Sequence, residues 1–379
     1  MDTSKAVEQI YNAVIQERTS LVIFFCSQHY SLKELSALLS SKFADIEVVG
    51  CTSSGCIGTS GYQAKGIVAC SFSAEVFDFS VALIRNIQNF SYHQADEIVS
   101  ALKSEIEIFS DNEPKVHNLF ALQLIDGLCL KEEIFTQILC TALNGAPLLG
   151  GSAGDDLKFE HTYVYHKGEF YPSAALVMLG KTTLSFVPFM IQHFLPTEKR
   201  LVVTESIPEQ RLVKTLNGLP AALEYARNVG CEADELTADI FASHPVLVKI
   251  GDEVYVRSIQ QMNDDGSLTF FCAIDDGVVL SVAEAEEIVQ NLDKELAQIT
   301  AGLGEPGLIL GFDCIFRYLE LEQRDQVGLV SEIFNKHNVI GFNSYGEQFS
   351  AMHVNQTFTG IAFSKEVADS DVWTSSIVI

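Results

Sequence analysis

Val48-Val-Gly-Cys-Thr-Ser-Ser-Gly55 is the stretch on which the reading of this chain turns. The strand-like run Asp45–Val49 ends at Gly50, and small residues carry the chain away from it to Gly55. Glycine suits a strand that must turn sharply, often through positive φ, or pass close to another backbone or ligand. The pattern returns as Gly150-Gly-Ser-Ala-Gly-Asp155 and as Gly341-Phe-Asn-Ser-Tyr-Gly346. The first and last copies share one spacing, and each is followed by a strand ending in Phe-Ser. Two readings stay open: three structural turns, or three loops gathered around a ligand cleft, since clefts in α/β sheets favour strand ends.

Outward from each turn the same order of elements recurs. In the first copy, periodicity predicts a helix over 3–19 capped by Thr3 or Ser4. The apolar run Leu21–Cys26 reads as a strand covered on both faces, and Ser31 caps a helix through Phe43. A hairpin follows, Gly66–Ser73 with Phe77–Ile84, then a helix over about 93–109. The second copy runs through the strand Leu119–Ile125, the helix Glu132–Leu143, and strands around His161–Tyr165 and Ala174–Leu179. The third has the strand Gly307–Cys314, a helix over 324–337, and a hairpin including Thr357–Phe363.

Between the second and third copies the order breaks. Val246–Ile250, Glu253–Ile259 and Leu268–Cys272 read as strands, and residues 281–300 as a long acidic amphipathic helix. At the entrance to this region lies Thr183–Thr204, with a histidine in apolar company. Read as one strand, it places His193 on a face with Val187, Phe189, Ile191 and Leu195, and both faces are expected to be buried. An imidazole there needs a partner: a backbone carbonyl, a buried water or a metal. Lys199 and Arg200 follow as a local cationic pair.

With 379 residues, the chain is expected to hold two or more domains. Asp and Glu outnumber Lys and Arg by 50 to 24, a formal charge of −26, which disfavours nucleic acid and an anionic membrane surface. No signal-peptide pattern or membrane-length apolar run occurs, and the nine cysteines sit mostly in apolar runs, so the expectation is a cytoplasmic protein with reduced thiols. Cys51 and Cys56 lack a matching pair at zinc spacing, and His161 and His166 are read as exposed polar residues. Walker, Gly-x-Gly-x-x-Gly, Gly-x-Ser-x-Gly and Cys-x-x-Cys-His patterns are absent. Asp155-Asp156 reads as a solvated or capping pair, and no enzymatic constellation emerges.

Taken together, Val48–Gly55, Leu149–Asp156, Ala174–Leu179, Leu310–Arg317, Ile340–Glu347 and His353–Thr357 resemble the FIST proteins, bacterial sensory ligand-binding proteins with an N-terminal and a C-terminal FIST domain. The resemblance implies an α/β (α+β) protein of two packed lobes with mixed sheets flanked by helices, FIST N over 20–215 and FIST C over 216–365. His193-Phe-Leu-Pro196 with Leu201-Val-Val-Thr204 further resembles a subset, the nitric-oxide-sensing NosP haem proteins. That likeness implies non-covalent haem b with His193 as axial iron ligand. Lys199 and Arg200 would then meet the propionates, nitric oxide would be the signal, and a histidine kinase or cyclic-di-GMP enzyme the partner, with a homodimer open as assembly state. The family at large implies the alternative, a small molecule such as an amino acid, for which Tyr345, Glu347 and Asn355 are the candidate contacts.

Overall fold

The computed structural model describes residues 2–106, 118–251, 253–304, 306–365 and 373–378. Three stretches of chain lay down the same order of elements. The first contains α1 (Thr3–Val14), β1 (Thr19–Cys26), α2 (Leu32–Lys42), β2 (Val48–Thr52), β3 (Cys56–Gly58), β4 (Gly61–Gln63), β5 (Ile67–Ser73) and β6 (Phe77–Arg85). The second contains α3 (Tyr92–Glu105), β7 (Leu119–Ile125), α4 (Glu132–Leu143), β8 (Leu148–Ser152), β9 (Val164–His166), β10 (Glu169–Tyr171), β11 (Ala174–Thr182) and β12 (Phe186–Ile191). An antiparallel segment then intervenes: β13 (Phe194–Ile207), β14 (Leu212–Leu216), β15 (Leu219–Pro220), α5 (Ala221–Val229), α6 (Ala238–Ser243), β16 (Val246–Ile250), β17 (Glu253–Arg257), β18 (Ile259–Met262), β19 (Leu268–Phe270) and β20 (Val279–Ala285). The third stretch has α7 (Ile288–Ala301), β21 (Pro306–Cys314), α8 (Ile315–Gln323), α9 (Val327–Lys336), β22 (Val339–Ser344), β23 (Glu347–Phe349), β24 (Met352–Val354), β25 (Phe358–Ser364) and β26 (Trp373–Val378).

By compactness the chain forms two units, Met1–Met190 with Asp293–Met352 and Phe358–Ile379, and Ile191–Leu292 with His353–Thr357. The larger unit holds the three copies apart from Ile191, Ile288–Leu292 and His353–Thr357, so compactness divides the chain differently from the stretches 20–215 and 216–365. Each copy starts a sheet with a parallel pair, β1–β2, β7–β8 or β21–β22, joined by a helical crossover. Its next strand, β5, β11 or β25, returns antiparallel beside the first. After each glycine turn, however, the chain leaves its own sheet. The β3–β4 hairpin pairs on β22, β9–β10 on β2, and β23–β24 on β8. The last strand of each copy also crosses: β6 joins β11, β12 joins β25 and β26 joins β5. Three six-stranded sheets of the same order result, and no copy completes its own. A sheet left short would expose unpaired N–H and C=O groups, so the ring of exchanges ties the copies into one folding unit.

Alternation sorts the side chains of these sheets. Inward rows include Phe25–Cys51–Val164, Leu124–Gly151–Glu347 and Phe312–Phe342–Cys56. Phe25 stacks on Phe342 with ring centroids 4.4 Å apart, and Phe312 meets Phe342 edge-on at 5.8 Å. A Cβ at Gly151 would lie 2.8 Å from Phe342 Cζ, which is why that row carries no side chain there. On the outward face of the first sheet, Val7, Ile10 and Val14 of α1 and Leu35 and Leu39 of α2 form one cluster with Val22 and Phe24. Phe135, Leu139 and Leu143 of α4 do the same for Ala121 and Val177.

The smaller unit has one eight-stranded antiparallel sheet, ordered β17-β16-β20-β13-β14-β19-β18 with β15 on β14. Asn217 and Gly218 take φ of 51° and 78° at the β14–β15 hairpin, as an Asn-Gly turn requires. Tyr225 of α5 and Phe241 of α6 pack with Leu201, Val203 and Phe270 of the sheet.

Several sequence expectations need correction. The helix expected over 281–300 begins only at Ile288, because Val279–Ala285 pairs with β13 and β16, and tertiary pairing overrides the helix propensity of its Ala and Glu residues. Thr183–Thr204 is not one strand: it breaks at Gln192-His193, and Leu195 is 50% exposed. Asp2, rather than Thr3 or Ser4, caps α1 by accepting Lys5 N–H. α8 was not foreseen, and residues 107–109 of the helix expected over 93–109 lie outside the described residues. His166 is buried against Glu47, with 2.7 Å between Nε2 and Oε1, not exposed.

Candidate functional site

The three glycine turns emerge at the C-terminal ends of the parallel pairs, and they bond to one another. Ser54 N–H donates to Asn343 C=O at 3.1 Å, and Asn343 N–H returns a bond to Gly55 C=O at 2.9 Å. Gly154 N–H donates to Thr52 C=O at 3.0 Å. Ser152 N–H donates to Gly346 C=O at 2.8 Å, and Tyr345 N–H to Ser152 C=O at 3.1 Å. Every turn therefore touches the other two. Aligned on Gly50, Gly150 and Gly341, the turns place Ser54, Gly154 and Tyr345 at one position and Gly55, Asp155 and Gly346 at the next. A Cβ at Gly154 would overlap the Ser54 hydroxyl and lie 2.8 Å from Ser54 N, so glycine there lets the turns close.

Asp155 is the hub. Its carboxylate, wholly buried, accepts the N–H groups of Phe159 at 2.8 Å, Glu160 at 2.7 Å and His161 at 2.9 Å, and the Tyr345 hydroxyl. Burial raises its pKa, yet the bonds from Tyr345 and the three amides outweigh burial and leave it below the ordinary carboxylate range. Burial and the neighbouring carboxylate push the Tyr345 phenol up, so it stays a neutral donor. The Phe159 ring stacks on Tyr345 at 4.7 Å. Of the expectation of a solvated or capping pair at Asp155-Asp156, the solvated part is corrected and the capping part holds: Asp155 is interior and caps three backbone amides, and Asp156 accepts the Ser27 hydroxyl at 3.1 Å and lies 3.2 Å from His29 Nδ1. Ser27 Oγ is also 2.9 Å from His29 Nδ1. Because that one ring nitrogen faces both Ser27 and Asp156, the trio is not a nucleophile–base–orienter relay.

A second polar cluster pins the first copy's hairpin to the third copy's sheet. Asp313 accepts Arg317 Nε–H at 2.8 Å and the Tyr62 hydroxyl at 2.5 Å, with the ion pair fully buried. Burial raises the Asp313 pKa, and Arg317 counters it. The cysteines close to the turns are poor nucleophiles: burial pushes Cys56 up to about 12 and raises Cys26 and Cys51 well above the ordinary thiol range.

Of the residues singled out by sequence, Tyr345 and Glu347 lie in the larger unit and Asn355 in the smaller. Tyr345 reaches Asp155, whereas Glu347, buried on the inward row, accepts the Ser344 hydroxyl at 2.5 Å. Asn355 is fully buried, with neither amide atom hydrogen-bonded among the described residues. His193 is wholly buried, with its ring 4.2 Å from that of Phe194, which packs with Leu247, Val256 and Ala283. Lys199 Nζ donates to Asn228 C=O at 2.6 Å, and Arg200 donates to Thr197 C=O at 2.8 Å and to Ser281 Oγ. A porphyrin needs an open flank beside the ligating imidazole. Here the Phe194 ring lies against the imidazole. A groove of about 450 Å³ near Phe43, Glu47 and Lys167 and a cleft of about 440 Å³ near Asn263 and Asp265 are both lined by residues other than His193 and Tyr345. Among the described residues, no group of three or more His, Cys, Asp or Glu side chains is placed to hold a metal ion.

Sequence reasoning missed Asp155 as a hub and missed the Ser27–His29–Asp156 cluster. The usable signal was positional: one copy carries Asp where the other two carry Gly, and one carries Tyr where the others carry Ser and Gly.

Comparison with known proteins assigns residues 20–219 to the FIST N domain and residues 221–350 to the FIST C domain. An uncharacterised protein of Methanocaldococcus jannaschii is 23% identical over 398 aligned positions, covering 94% of this chain and 76% of that protein.

Proposed function

Because the chain belongs to the FIST family, whose domains are sensory, we propose that it senses a small polar molecule, an amino acid or one of similar size, at the junction of its three glycine turns. The observation that carries this reading is the mutual bonding of the turns around Asp155 and Tyr345. Such a junction offers a fixed anion, a phenol and turn backbone in one place, at the strand ends where α/β sheets take ligands. Ligand binding would report by shifting the balance between two arrangements of the turns, read by a signalling partner such as a histidine kinase or cyclic-di-GMP enzyme. The reading is non-catalytic: the buried thiols are held protonated, and Ser27, His29 and Asp156 do not form a relay. No helix among the described residues is long and apolar enough to cross a membrane. Thermal-shift measurements with the free amino acids as probes test it. At least one is expected to raise the melting temperature of the wild type and not of Tyr345→Phe; a panel without response, or equal responses, would refute the reading.

The second reading is a haem b sensor of nitric oxide with His193 on the iron. The full burial of that imidazole in apolar surroundings favours it, and the Phe194 ring against it opposes it. Bound haem would supply the iron that takes nitric oxide, with Lys199 and Arg200 free to turn toward propionates only after leaving their present acceptors. A Soret band after haem reconstitution, lost in His193→Ala, is the expected result under this reading; its absence in the wild type would dismiss it.

A further inference from the structure

We propose that the segment Asp155–His161 is a strap that closes over Tyr345 and opens to admit the ligand, a regulation that rests on the turn junction being the binding site. The closed strap carries visible conformational cost. Asp156, Leu157 and Phe159 have φ of 58°, 63° and 54°, the left-handed region that bulky side chains avoid. Leu157 and Phe159 are 39% and 43% exposed, so little burial compensates. What holds the strap down is concentrated at its two ends and in one ring contact. Asp155 gathers the amides of Phe159, Glu160 and His161 and so folds the strap on itself, while the Tyr345 hydroxyl on Asp155, Ser27 and His29 at Asp156, and Gln28 donating to His161 C=O fasten it to the rest of the fold. The Phe159 ring covers Tyr345.

One carboxylate is therefore shared between the strap and the junction. A ligand that presents N–H or O–H donors to Asp155, or takes the Tyr345 hydroxyl, competes with the bonds that keep the strap closed. Strained residues released together by the loss of one acceptor open as a local unit, below the threshold of global unfolding. By contrast β8, which leads into the strap, is buried throughout and paired on both edges.

Residue-resolved amide hydrogen exchange on the full chain tests this without any ligand. The Phe159, Glu160 and His161 amides are expected to exchange at least about 100-fold faster than those of Leu149–Ser152, because they open locally. Leu157→Asn, which accepts left-handed backbone more readily, is expected to slow them about threefold and leave β8 unchanged. Asp155→Asn is expected to speed them at least about tenfold, with the strap still exchanging ahead of β8. Exchange of the strap and β8 at one common rate would overturn the proposal, as would a Leu157→Asn variant that does not slow the strap. That variant also decides the matter if Asp155→Asn fails to fold. A thermal-shift panel without response would remove the sensor reading and leave these rates standing; a normal response with uniform exchange would remove the strap alone.

Discussion

Asp155→Asn removes the charge on which the turn junction closes, and its cost follows from the bonds in place. Oδ1 accepts Phe159 N–H and the Tyr345 hydroxyl, and Oδ2 accepts the amides of Glu160 and His161 at 2.7 and 2.9 Å. An asparagine keeps one acceptor oxygen and turns its amide nitrogen toward donors that need an acceptor. Two charge-assisted bonds are lost at about 1.5–3 kcal/mol each, so the variant should be destabilised by about 3–6 kcal/mol. At about 2 °C per kcal/mol for a chain of this size, the melting temperature should fall by about 6–12 °C. Tyr345→Phe loses a single bond and should cost about 1–2 kcal/mol. The two residues touch, so the double variant should cost less than the sum. Urea unfolding of the four proteins gives the cycle. An Asp155→Asn variant within about 0.5 kcal/mol of wild type, or full additivity with Tyr345→Phe, would refute the hub reasoning.

Three further outcomes are expected. Because Asp155 has a folded pKa below its unfolded value, its stabilisation is complete above about pH 4 and is lost as pH falls through the folded value; the gap between wild type and Asp155→Asn should be flat from about pH 5 to 8 and narrow only in stronger acid, as read from denaturation midpoints. Gly154→Ala should cost about 3 kcal/mol or more because its Cβ meets Ser54 backbone, whereas Gly328→Ala, with open space on α9, should gain about 0.5–1 kcal/mol by chemical denaturation. Thiol titration of the native protein should label Cys140 and Cys231 before the seven buried cysteines.

Much of the fold was written in local signals. The strand Leu119–Ile125 and the helix Glu132–Leu143 stand where periodicity placed them, since a continuous apolar run and a 3.6-residue stripe each admit one burial. The threefold recurrence was likewise visible, whereas the gathering of its glycine turns was one of two readings the sequence left open. The exchange of hairpins between sheets was not, because a strand's own pattern says which face is buried and nothing about which partner it pairs with. The same limit hid the strand Val279–Ala285 inside a helical-looking segment. At the site, Tyr345 stood out as a polar ring in a small-residue turn. Asp155 did not, because a carboxylate beside a turn is ordinarily solvated, and only the fold brings three amides and a phenol to it.

Calorimetric titration of the ligand found by thermal shift, into wild type, Tyr345→Phe and His193→Ala, separates the two readings most directly. Sensing at the turns predicts that Tyr345→Phe weakens binding at least about tenfold, the loss of one buried hydrogen bond, while His193→Ala binds as wild type. Binding that survives Tyr345→Phe and vanishes in His193→Ala would contradict it.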